Sequence, residues 1–231
     1  MFLRAKGIQI FSHSVYWLLL GWIILLSACH SPLEKFALDA SPPKRYALTG
    51  VHLIPIEPAG LLSDQTVIVE AGKIVAMGPR QQVQIPPETE ILPVQGQYVL
   101  PGFADMHVHL AHERDLLLLL RHGITQVRNM AHSPTWAQIA GFPDVRQLRE
   151  KVRQGQLLGP AIFACGPILD GDPPQNNLNQ AIGNLSQART AVTETSQGGF
   201  DCVKVYNRLS RANFDQIVKT ARAQKLPVMG H

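Results

Sequence analysis

Leu100-Pro-Gly-Phe-Ala-Asp-Met-His-Val-His109 is the stretch on which the reading of this chain turns. It reads as a β-strand entered through a Pro-Gly turn and ending in two histidines. Side chains along a strand alternate faces, so His107 and His109 point the same way and their nitrogens can meet on one cation. Neutral imidazole is the commonest protein ligand for zinc and its neighbours. Alone the pair is weak. With nine histidines among 231 residues, a chance His-x-His arises in about one such chain in three. The residues on either side have to decide what the pair means.

Downstream, the pattern alternates strand, helix, strand. Strands are predicted over 103–109, 124–130, 161–166, 201–206 and 227–231, with helical stretches between them. That rhythm argues for parallel βαβ units. Gly123 follows the first helix, where a left-handed residue is wanted. Ser210 is placed to cap the fourth, with Phe214, Ile217, Val218 and Ala221 as its buried stripe. Upstream, residues 46–100 read as all β. One run covers 47–56, and 66–70 with 73–77 flank a turn at Ala71-Gly72 as a hairpin. Pro79, Pro86 and Pro87 interrupt the segment after the hairpin, and no internal repeat or low-complexity tract appears.

Hydrophobic residues at 45% and charged residues at 16% suit a globular chain with a sizeable core. The net charge of +4 is modest, and no basic run is interleaved with aromatics, which argues against nucleic acid as a partner. Near the N-terminus, Arg4 and Lys6 precede an apolar run from Val15 to Leu26 and then Leu26-Ser-Ala-Cys29. A positive head, a short apolar centre and small residues before a cut site make an export signal. The run falls short of the roughly 20 residues a membrane span needs. Small residues directly before a cysteine resemble the bacterial lipoprotein signal, which implies lipidation of Cys29 and an anchor on the extracytoplasmic, periplasmic side of a bacterial membrane. A plain signal peptide or an uncleaved anchor is the alternative. Residues 30–45 read as a tether. Of the other cysteines, Cys165 and Cys202 fall in adjacent predicted strands and read as buried free thiols, since disulfide-dependent scaffolds carry far more cysteine. A Cys165–Cys202 bridge is the alternative in an oxidising compartment.

In Cys202-Val-Lys-Val-Tyr206, alternation puts Val203 and Val205 on one face and Cys202, Lys204 and Tyr206 on the other. If the valines meet the helices, an ammonium points inward, where an unpaired charge is costly. A salt bridge to an acid such as Asp105 would relieve it. So would reaction of a depressed-pKa amine with carbon dioxide, giving a carbamate with two oxygens able to bridge two cations.

Leu100–His109, the lysine strand Phe200–Tyr206 and the run Leu226-Pro-Val-Met-Gly-His231 together resemble the metal-dependent amidohydrolase superfamily. The resemblance implies an α/β fold: an incomplete (β/α)8 TIM-type barrel of about five βα steps over 101–231, preceded over 46–100 by part of a small β-sandwich. Active sites of such barrels lie at the C-terminal ends of the strands. It further implies that His107, His109, Lys204 as a carbamate and His231 hold two divalent metal ions, zinc by preference. Gly123-Ile-Thr-Gln-Val-Arg-Asn129 resembles the Gly-x-Thr-x-Val-Arg-Asp strand of the imidazolonepropionase-like and Xaa-Pro/Xaa-Arg dipeptidase branch. Asn129 departs from the acid usual there, so no role resting on a carboxylate carries over. Pro167-Ile-Leu-Asp-Gly-Asp-Pro-Pro174 resembles a loop after the third strand in that branch, and reads either as a surface loop shaped by its Gly and Pro or as a lining of the substrate cleft at the catalytic end. Arg128, Asp170, Asp172 and Tyr206 are the cleft candidates. The implied activity is metal-assisted hydrolysis of C–N bonds in a small amide, dipeptide-like or cyclic amide substrate. The sixth-strand histidine and the eighth-strand aspartate that serves as general acid and base have no counterpart, so the chain reads as an N-terminal portion, inactive alone. The rival reading is a non-catalytic lipid-anchored module that keeps the barrel for binding or structure.

Overall fold

The computed structural model describes residues 45–133 and 141–230. The export signal, Cys29, nearly all of the tether and His231 lie outside the described residues. Two sheets organise the remainder. The first holds β1 (Arg45–Leu53), β2 (Leu62–Glu70), β3 (Lys73–Pro79), β4 (Glu90–Leu92) and β5 (Tyr98–Val99). Its order is β3-β2-β1-β4, and β5 also pairs with β1. The β1/β2 and β2/β3 pairs are antiparallel, and β4 and β5 run parallel to β1. Ala71 and Gly72, at φ 50° and 74°, make the β2/β3 turn with both central residues left-handed, the geometry that matches strand twist in a two-residue hairpin. Val51, Leu53 and Val67 form the sheet's small core with Leu48, Val69, Val94 and Val99.

The second sheet is parallel throughout and begins just past the Pro101-Gly102 turn. Its members are β6 (Phe103–Val108), β7 (Ile124–Asn129), β8 (Ala161–Asp170), β9 (Gln180–Ala181), β10 (Cys202–Val205) and β11 (Val228–Met229). The order β11-β10-β8-β7-β6, with β9 beside β8, is the curled first part of a (β/α)8 barrel. Helices α1 (Arg114–Arg121), α2 (Val145–Arg153), α3 (Leu185–Gln197) and α4 (Arg211–Ala223) connect the strands. Among the described residues, no helix is long and apolar enough to cross a membrane.

Strand alternation sorts the side chains. Val127, Ile162 and Ala164 pack with Leu116 of α1 and Val145 and Leu148 of α2. Val203 and Val205 pack with Ala188, Ala191 and Val192 of α3 and Ile217 and Ala221 of α4. The neighbours of these residues along each strand therefore face the inner, curled side. Gly102 is required by a close approach, because a Cβ there would overlap the Thr125 side chain of β7. Gly123 takes the left-handed conformation at φ 77° after α1, and its N–H donates to the Leu120 carbonyl at 2.9 Å. Side-chain caps open three helices: Asp144 accepts from Arg146 N, Asn184 from Gln187 N and Ser210 from Asn213 N.

Three expectations change. The third barrel strand continues past Gly166 to Asp170, so the first half of the expected 167–174 loop is strand. It is held there because Ile168 and Leu169 pair with Lys204 and Val205. Next, Phe214 is exposed and Asn213 takes the buried place on α4; its Nδ2 donates to the Ile182 carbonyl at 2.9 Å, which satisfies a polar group the stripe rule would have put outside. Finally, Cys165 and Cys202 form a disulfide, with Cα atoms 4.4 Å apart. They are register partners on neighbouring strands, so the free-thiol expectation gives way to its alternative.

Candidate metal centre

His107 and His109 sit where β6 ends, both exposed. Their ring centroids are 5.5 Å apart with planes at 64°. The backbone around them is tied down from two sides. Asp105 Oδ1 accepts from His107 N at 3.0 Å. Asn129, at the end of β7, accepts from Leu110 N at 2.8 Å and donates from Nδ2 to the Ala131 carbonyl at 2.6 Å. Asn129 is 2% exposed, and one amide group thus fastens the residue after His109 to the neighbouring strand. The departure from an acid at this position is what these two contacts require: a carboxylate accepts twice but donates nothing. The sequence marks the departure and gives no sign of its purpose.

Lys204 lies on β10, two residues beyond Cys202, on the inner side opposite Val203 and Val205. It is 1% exposed. Its Nζ donates to the Gly230 carbonyl at 3.4 Å, a long bond to a neutral acceptor. Among the described residues it has no ion pair. Asp105, the acid suggested for it, turns instead to the His107 N–H. Burial pushes the Lys204 amine below its usual range, and the positive charge of Arg128 adds to the effect. The Cys165–Cys202 disulfide, two residues before Lys204 on β10, packs with Met130 and Met229.

Arg128 is half-buried on the inner side of β7, one residue past helix-facing Val127. Its Nε donates to the Met106 carbonyl at 3.0 Å. Asp170, by contrast, is fully buried and belongs to its own loop. Its oxygens accept from Gly171 N, Gln175 N, Arg208 N and Asn179 Nδ2, and those donors hold its carboxyl below the ordinary range against the opposing effect of burial. Asp172 is exposed, and Tyr206 is half-buried just past the end of β10. Of the histidines outside the pattern, His112 and His122 are exposed. His132 is buried, 3.6 Å from Asp144 and stacked at 5.7 Å on Phe200, a structural placement that the sequence does not reveal.

Among the described residues, no group of three or more His, Cys, Asp or Glu gathers as a metal-binding cluster. The candidate donors lie on separate strands of one sheet. Two imidazoles end one parallel strand, and a buried amine with no acid partner among the described residues lies near the end of another in the same sheet. That donor set fits a divalent cation in part: the imidazoles suit it as they stand, and the amine suits it once converted to an anion.

No protein-family model matches the chain. Relatives do match in part. An adenine deaminase of Leuconostoc citreum is 34% identical over 96 residues, covering 38% of this chain and 16% of that protein. One from a Ruegeria species is 28% identical over 119 residues, covering 48% of this chain and 19% of that protein. Among solved structures, a prolidase bound to N-methylphosphonate-L-proline superposes with a TM-score of 0.70 at 22% identity, covering 81% of this chain and 56% of the prolidase. The bottromycin amidohydrolase superposes with a TM-score of 0.66 at 24% identity, covering 88% of this chain and 42% of that one. The chain is similar in sequence to part of these adenine deaminases and in fold to part of the prolidase and amidohydrolase structures. It spans under a quarter of the length of these adenine deaminases and about half that of the matching structures. In an amidohydrolase the C-terminal strand ends are the catalytic end of the barrel. His107, His109, Arg128 and Lys204 of this chain all lie at or near the C-terminal ends of their strands.

Proposed function

We propose that this chain carries metal-binding residues of a hydrolase that acts on C–N bonds. One observation supports the reading above all others. Lys204 is 1% exposed, has no acid partner among the described residues, and sits on the inner side of the sheet whose first strand ends in His107 and His109. A protein that needed only packing there would do better with an apolar side chain of the same volume. A depressed pKa leaves more of the amine neutral, and a neutral amine can add to carbon dioxide. Its lone pair forms the new N–C bond and a proton departs to solvent, leaving a carbamate anion in place of a buried cation.

In this reading His107, His109 and the Lys204 carbamate would hold divalent cations, and His231, outside the described residues, is the further ligand expected for them. Divalent ions such as zinc supply Lewis acidity there, polarising the scissile group and lowering the pKa of water. Asn129 and Asp105 act as positioning residues that hold the backbone on either side of the imidazoles. We also propose that the chain is exported and lipidated at Cys29. Incorporation of labelled fatty acid that disappears in Cys29→Ala tests this, and undiminished label in the variant would refute it.

Metal analysis and carbon-13 spectroscopy test the site together. The chain dialysed against zinc and carbon-13 bicarbonate is expected to retain zinc and to show a carbamate resonance. His107→Ala should reduce the zinc, and Lys204→Met should remove the resonance. Absence of both signals in the wild type would favour a binding or structural module and end the hydrolase reading.

A further inference from the structure

Cys165 and Cys202 join β8 to β10 immediately before Lys204. They are register partners, with Cα atoms 4.4 Å apart. The next pairs along the ladder are Lys204 with Ile168 and Val205 with Leu169. β10 thus advances two residues while β8 advances three, and the extra residue makes a bulge at Gly166-Pro167. Side chains show the change of parity: Ile162 and Ala164 face the helices before the bulge, and Leu169 faces them after it. Both bulge residues suit their place. Pro167 has no N–H to give the ladder, and the Gly166 carbonyl accepts from His132 N at 3.3 Å, on the β7 side.

Little else fixes the height of β10. It is four residues long, and its other neighbour, β11, has two and stands at the edge of the sheet. Alternation chooses the face, since a slip of one residue would turn Lys204 toward Ala188, Val192 and Ile217. Alternation does not distinguish registers two residues apart, because both leave Val203 and Val205 toward the helices. Such a slip would carry Lys204 about 6.6 Å along the strand. It would also part the two cysteine Cα atoms to about 8 Å, beyond the roughly 7 Å limit for bridging. The disulfide therefore belongs to one register alone. Hydrogen bonds flank it: Asp201 Oδ2 accepts from Ala164 N at 2.8 Å, and Tyr206 N donates to the Leu169 carbonyl at 2.9 Å. Those bonds can be exchanged for water; the covalent link cannot.

We propose that the Cys165–Cys202 disulfide is the positioning element that fixes Lys204 on the inner side of the sheet, so that the metal site assembles only in the oxidised chain. This rests on the hydrolase reading above and gives that site a redox control. Oxidation moves two electrons and two protons from the paired thiols to a disulfide oxidant by thiol–disulfide exchange. The proposed export would bring the chain to a compartment where such oxidants act.

The test compares the oxidised chain with Cys165→Ala/Cys202→Ala, each dialysed against zinc and carbon-13 bicarbonate. The variant is expected to lose the carbamate resonance and to retain zinc only at the level of Lys204→Met. Wild type reduced with a phosphine should match the variant and regain both signals on reoxidation; it decides the matter if the variant does not fold. Circular dichroism in trimethylamine N-oxide, which favours the compact state, keeps loss of fold from standing in for loss of register. Leu148→Ala, a core truncation on α2, destabilises without touching the link and should keep the resonance. A second readout needs no metal. Without bicarbonate, acetylation of Lys204 read by peptide mapping should be blocked in the oxidised chain, where Lys204 is buried, and proceed in the variant as it does at exposed Lys73. A folded variant that keeps its resonance, or keeps Lys204 protected, overturns the proposal. Loss of the resonance in Leu148→Ala as well would reduce the link to general stability and overturn it too. An oxidised chain with neither zinc nor resonance, but with Lys204 protection that depends on the link, would sink the hydrolase reading and leave the positioning role standing.

Discussion

Replacing Asn129 by Asp changes one atom pair and should cost the fold more than most surface substitutions. Asn129 is 2% exposed and makes two bonds in opposite senses, accepting from Leu110 N at 2.8 Å and donating to the Ala131 carbonyl at 2.6 Å. In Asn129→Asp the first bond survives and strengthens by about 1 kcal/mol, because its acceptor becomes charged. The second is replaced by two oxygens in contact. An orphaned buried carbonyl costs about 1–3 kcal/mol, and burying the new charge adds to it. The net loss near neutral pH is about 2–3 kcal/mol, or roughly 5–10 °C in Tm for a chain of this size. The sign of the pH dependence is set by the same charge. The introduced carboxyl has a folded pKa raised above its ordinary value of about 3.9. Below both values it is protonated, can donate to Ala131, and the penalty vanishes; it returns as pH rises through the folded pKa. Thermal melts of wild type and variant at pH 7 and about pH 4.5 check this. A variant melting with the wild type at pH 7, or a gap of equal size at both pH values, would refute the reasoning.

Other buried or paired groups give further expected outcomes. Lys204→Met should stabilise the unmodified chain by about 1–3 kcal/mol by removing a buried amine that has no ion pair among the described residues. Since the Lys204 pKa is lowered from 10.5, wild-type stability should rise with pH from the depressed value up to 10.5, and a titration of denaturant midpoints should find that rise absent in the variant. The Cys165–Cys202 bridge spans 37 residues, so reduction should cost about 3–4 kcal/mol; peptide mapping after alkylation without reductant should find neither thiol modified. Asp144 is held at about 2, chiefly by its hydrogen bond from Arg146. It should therefore contribute about 2 kcal/mol above pH 3.8 that fades as pH falls towards 2, and acid unfolding of Asp144→Asn should lack that limb.

Much of the site is legible in the sequence. The His-x-His pair, the parallel strand order and the inward face of Lys204 all depend on local periodicity, and strand alternation is a property of a few consecutive residues. Val203 and Val205 lie against α3 and α4 as that alternation requires. The cleft is harder to read. Asp170 looks like a loop acid, yet four donors from residues 171–208 enclose it. Those donors meet only when β8 is extended and the segment after β10 folds back over it. His132 and Asp144 carry no shared spacing, and only the packing on Phe200 brings them together.

What the amino-acid order settled by itself was where the candidate donors fall: imidazoles on one strand, an amine on another, each at or near the C-terminal end of its strand. Only the tertiary structure decided the partners. Cys165 meets Cys202, Asn129 reaches Leu110 and Ala131, and Arg128 donates from Nε to the Met106 carbonyl. Two of those three pairings depend on strand register, and register is set by the whole sheet packing against its helices.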